Sequence, residues 1–65
     1  MALSDSDRHR VVQELEGVEP AVLRLILASS QTFAEWLAGR LPDVHRRGGD
    51  ALEPLRQSLR ASFVG

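Results

Sequence analysis

Sixty-five residues make one domain with no room for a second, and a chain this short buries only about 60% of the surface it exposes when unfolded, so its margin of stability is thin. It has no cysteine, which excludes disulfides, thiolate–zinc sites and a cysteine nucleophile, and its two histidines, His9 and His45, cannot alone complete a four-ligand zinc site. The net charge of −1 hides a sorted chain: six acids face three arginines from Met1 to Glu35, and five arginines face three acids from Trp36 to Gly65.

The elements read as helices throughout, because β-branched residues are few and no segment alternates with period two. The first helix is predicted over 5–16. Ser4 is a good N-cap, Asp5 and Asp7 favour the positive helix end, Val11, Val12 and Leu15 form the apolar stripe, and Gly17 is expected to close it in the left-handed conformation. The second, over 20–30, opens with Pro20 at its first position, where the missing N–H is harmless. Its stripe of Val22, Leu23, Ile26 and Leu27 makes it apolar on more than one face, which marks it as the central core helix.

The third helix is predicted over 33–41, with Thr32 and Glu35 as a capping box and Phe33, Ala34, Trp36, Leu37 and Leu41 as apolar mass. The rival reading, one rod joining helices two and three, is permitted by the spacing Leu23, Leu27, Ser30, Ala34, Leu37, Leu41; the serines and the capping box favour a break near 29–31. Pro42 to Gly49 is expected to be a loop with a flexible Gly48-Gly49 tip. A last helix over 51–62 carries the stripe Leu52, Leu55, Leu59 and Phe63, with a second capping box at Asp50 and Glu53 and Pro54 inside the first turn. The fold class is thus all-α, a small compact bundle of about four (three to five) short helices in a single domain, 1–65.

Chemistry is sparse. His9 and His45 sit among arginines, Gly48-Gly49 lacks the spacing and lysine of a phosphate loop, and Glu14 and Glu16 point to different faces of one helix. No enzymatic activity, no catalytic or metal site and no cofactor is expected. No run of about 20 apolar residues is present to span a membrane, the acidic, polar start is unlike a secretory signal, and the lack of cysteine fits a reducing cytoplasm. All eight basic residues are arginine, which with the alanine, glycine and leucine suggests a high-GC bacterial genome.

The candidate interaction residues are Arg46, Arg47, Arg56 and Arg60 as a basic patch, Asp5, Asp7, Glu14 and Glu16 as an acidic patch, and Trp36 as a possible interface anchor, since tryptophan and arginine are enriched at such anchors. The segment Ile26 to Arg40 has the helix, turn, helix order of a DNA reader with Gln31 and Thr32 at the start of its second helix. Glu35 on that helix and the acidic first half oppose phosphate, so nucleic acid is an unlikely partner.

The stretch Glu35 to Ala61, with Leu37, Leu41-Pro42, Arg46-Arg47-Gly48, Ala51, Leu55 and Leu59, resembles the closing helices of caspase-recruitment-type domains of the death fold. Leu3 to Leu15 is similar to the first helix of the death-like or effector-associated domains of bacterial defence proteins. The resemblance implies an adaptor that assembles by like-with-like contacts between acidic and basic patches, linking sensor to effector in anti-phage defence. Leu23 to Val44 also resembles a segment near the start of glutamine synthetase adenylyltransferases, which fits a third reading, a helical structural segment of a larger enzyme. The leading expectation is a non-catalytic protein–protein interaction module, with a helix-turn-helix DNA-binding domain and the enzyme segment as alternatives.

Overall fold

The computed structural model describes residues 3–64; Met1, Ala2 and Gly65, the ends of the expected 1–65 domain, lie outside the described residues. Five α-helices follow in order among them: α1 (Asp5–Glu16), α2 (Pro20–Leu27), α3 (Ser30–Arg40), α4 (Pro42–Gly48) and α5 (Leu52–Phe63), with a 3-10 turn at Gly49–Ala51 before the last. The chain is a small all-α bundle, and its Cα radius of gyration of 10.5 Å is close to the roughly 11 Å of a compact chain this long.

The local signals account for most ends. Ser4 caps α1 by accepting the Asp7 amide at 3.1 Å, and α1 has the predicted bounds. Gly17 stops it with φ −88°, not in the left-handed conformation expected, because its amide bonds back to Glu14 and the chain turns without needing positive φ. Pro20 opens α2. Helices two and three are separate, and α2 ends at Leu27 rather than 30.

Ser29 then caps α3: its hydroxyl accepts the Thr32 amide at 3.2 Å, while the Thr32 hydroxyl takes the Ser29 amide at 3.3 Å. The expected box of Thr32 with Glu35 is therefore displaced by one turn. Thr32 is the far half of a box begun at Ser29, and Glu35 instead accepts from Gln31 at 3.2 Å.

The expected loop at 42–49 is the largest departure. Pro42 ends α3 but also starts α4, at the position where proline suits a helix. Asp43 in the first turn and His45, Arg46 and Arg47 in the last match the helix dipole. Val44 is fully buried, and one apolar residue in seven cannot show a periodicity. Nor is Gly48-Gly49 a flexible tip. Gly48 is buried, and a β-carbon there would come within 2.6 Å of Leu52 Cγ, so glycine leaves room for the Leu52 side chain to fold back over the turn. Gly49 has φ +48°, a conformation glycine adopts freely. The expected Asp50 and Glu53 box does not form: residues 49–51 are already helical, and Glu53 turns to Arg56, Ser30 and Gln57.

The core gathers Val11 and Leu15 from α1, Leu23, Ile26 and Leu27 from α2, Phe33 and Leu37 from α3, then Leu41, Val44, Leu55 and Leu59. Its hub is α3, which α2, α4 and α5 all approach. The expectation of a central α2 is corrected: α2 buries one apolar face, and among the described residues no element covers the other. Leu25 is 67% exposed and Val22 44%. No other helix backbone runs closely alongside α1, which is held by the buried side chains of Val11 and Leu15 and by ion pairs.

Candidate interaction surface

Most of the charge that the sequence sorted into halves is recombined by the fold. Asp7, a member of the expected acidic patch, is buried at the α1–α4 seam and accepts two bonds from Arg47 of the expected basic patch, Nη2 at 2.6 Å and Nε at 3.3 Å. Asp43 accepts Arg47 Nη2 at 3.2 Å and Arg10 Nη1 at 2.6 Å. The Arg47 guanidinium holds the Asp7 carboxyl below its ordinary value, and Arg10, with help from Arg47, does the same to Asp43. Each guanidinium is in turn raised by its carboxylate.

A second cluster joins α5 to the α2–α3 turn. Arg56 is buried, donates from Nη1 to the Leu27 carbonyl at 2.8 Å, and forks onto Glu53 at 2.9 and 2.6 Å. Glu53 also accepts from the Ser30 hydroxyl and from Gln57, and its carboxyl is held well below the usual range by Arg56 first and these two after. Glu14 pairs with Arg40 at 3.0 Å across α1 and α3.

The two expected patches therefore do not survive as drawn. Asp7, Arg47 and Arg56 are structural, and Glu14 is committed to Arg40. Asp5, Glu16, Arg46 and Arg60 remain exposed with no ion pair among the described residues. Pairing opposite charges inside one molecule is favoured because the partners are already held together, whereas a pair with another molecule must also overcome the loss of free motion. Trp36 is half-buried, packed against the core with its ring stacked on Phe33 at 6.2 Å.

The outward face of α2 was not singled out as a site. There Ala21, Val22, Leu25 and Ala28 are exposed, at the spacing of one helical stripe, with Arg24 on its flank. The signal was present: α2 is apolar on two faces, and a chain with so few helices cannot cover both.

Shallow grooves cross the described surface. One, about 300 Å³, lies between Leu3, Arg8 and the α5 residues Pro54, Leu55 and Ser58. A second, about 480 Å³, runs along α5 past Arg56, Gln57, Arg60, Ala61 and Val64. A third, about 260 Å³, sits at the start of α3 and carries Asp50 and Glu53. Among the described residues no three side chains of the His, Cys, Asp and Glu types come together as a metal site would need, and every buried side-chain nitrogen or oxygen has a partner. No helix among them is long and apolar enough to cross a membrane. Comparison with protein-family models, with curated proteins and with solved structures gives no match.

Proposed function

We propose that this chain is a non-catalytic protein–protein interaction module that docks through the outward face of α2. One observation carries the reading: Leu25, two-thirds exposed, lies with Ala21, Val22 and Ala28 in a continuous apolar stripe on a helix whose other face is already packed. A lone exposed leucine is ordinary, but a stripe along a whole helix leaves apolar area in water that a partner would cover. Charges of both signs on the same helix, Arg24 against Glu19 at its start, would set register and specificity more than affinity.

The resemblance to death-fold adaptors extends this reading to like-with-like assembly in bacterial, cytoplasmic anti-phage signalling. The helix-turn-helix alternative finds less support. The first turn of α3, which would meet DNA, is flanked by Glu35, Asp50 and Glu53, and Gln31 and Ser30 already bond Glu35 and Glu53.

The test compares the intact chain with Leu25→Glu in a proximity-labelling screen, alongside circular dichroism and titration with duplex DNA. The reading expects labelled partners that disappear with Leu25→Glu while helicity is unchanged. Identical labelling by both chains, or binding to DNA that the variant retains, overturns it.

A further inference from the structure

The α5 groove and the start of α2 are chemically complementary. In the groove, Arg56 and Gln57 are both turned to Glu53, so Arg60 is the exposed guanidinium with no ion pair among the described residues. Beside it lie Ala61 and Val64, both exposed. At the start of α2, Glu19 is exposed, caps nothing with its side chain, and likewise has no ion pair among the described residues. Exposed Pro20, Ala21 and Val22 follow it. One surface thus offers a free cation beside small apolar groups, and the other a free anion beside small apolar groups.

We infer that the occupant of the α5 groove is a second copy of this chain, with Glu19 of one molecule on Arg60 of the other and Ala21 and Val22 against Ala61 and Val64. This rests on the reading of α2 as a docking helix and names its partner. The near-neutral total charge imposes no long-range repulsion between copies. Both patches are small, which places the contact in the weak, reversible class and makes it sensitive to salt.

Sedimentation velocity tests this from about 10 µM to about 1 mM, in about 20 mM and about 500 mM salt. The intact chain should gain mass with concentration, less so at high salt. Arg60→Glu and Glu19→Arg should each weaken association at least about tenfold, since each sets like charges together. An equal mixture of the two variants should recover it, because the reversed groove of one then faces the reversed helix start of the other. Arg60→Gln, a milder change at the last turn of α5, guards against loss of helicity and should weaken association less. A chain that stays monomeric throughout, or variants that associate as the intact chain does, overturns the inference. If that happens while Leu25-dependent capture of another protein persists, only the choice of partner falls; if Leu25→Glu is also silent, the docking helix falls with it.

Discussion

Two seams of this bundle are fixed by opposite means. At the α1–α4 seam the groups are charged and the cations are wet: Arg10 and Arg47 are 42% and 52% exposed, and they reach across to Asp43 and to the buried Asp7 respectively. At the α2–α5 seam the fixing is apolar, through Leu23, Ile26, Leu27, Leu55 and Leu59, and its one cation, Arg56, is 11% exposed and bonded to a backbone carbonyl. A helix whose backbone stands away from its neighbours can be tied by long arginine side chains. A helix in close contact needs complementary shape, and any polar group it encloses must find a partner. Salt should therefore loosen the first seam and largely spare the packing of the second.

The largest effect should come from Leu27→Ala, which empties a fully buried position of the α2–α5 seam and is expected to remove about 2–5 kcal/mol. In so small a chain that is much of the total stability, and a thermal melt followed by circular dichroism should show a greatly lowered midpoint. Next is Arg56→Met, which keeps the aliphatic stem but strips donors from the Leu27 carbonyl and Glu53. Its urea midpoint should fall at low and high salt alike, because the bond lost to the Leu27 carbonyl is buried and is not an ion pair that salt screens.

Asp7→Asn should have a smaller effect that shrinks as salt rises, since the Arg47 pair it breaks lies at the surface on its cationic side. Acid, unlike salt, reaches both seams, because Glu53 belongs to the Arg56 cluster. Asp7, Asp43 and Glu53 have lowered values in the fold, whereas in the unfolded chain they titrate near the usual value of about 4. Their contribution is complete above that value and is lost as pH falls through it toward the depressed folded values. Melting midpoints measured downward from pH 6 should hold steady and then fall, and Asp7→Asn should fall less steeply than the intact chain. Leu25→Glu should have the smallest effect on stability, within about 0.5 kcal/mol, although it lies on the proposed docking face.

Much of the helical framework was legible because its signals are local. Ser4, Pro20 and the existence of a break between the second and third helices depend on residues within a turn of one another, although the break was expected near 29–31 and α2 ends at Leu27. Helix α4 was missed because seven residues with one apolar side chain look like a loop unless Pro42 is read as a start as well as a stop. The interaction residues were less legible. Asp7 and Arg47 are 40 positions apart, and no spacing rule connects them. The exposed stripe of α2 was visible as a surplus of apolar residues, but which face would remain uncovered was not.

The sequence by itself determined that this chain folds as short helices, where the first and last of them lie to within a residue, and that its charge is divided between two halves. Those properties follow from backbone caps, helical periodicity and composition, which act over a few residues. Only the tertiary structure decided that α3 is the hub, that Gly48 is a packing position, and that Asp7, Arg47 and Arg56 hold the fold together while Glu19, Leu25 and Arg60 remain at the surface. The reason is physical: charge pairing and burial depend on which surfaces meet in space.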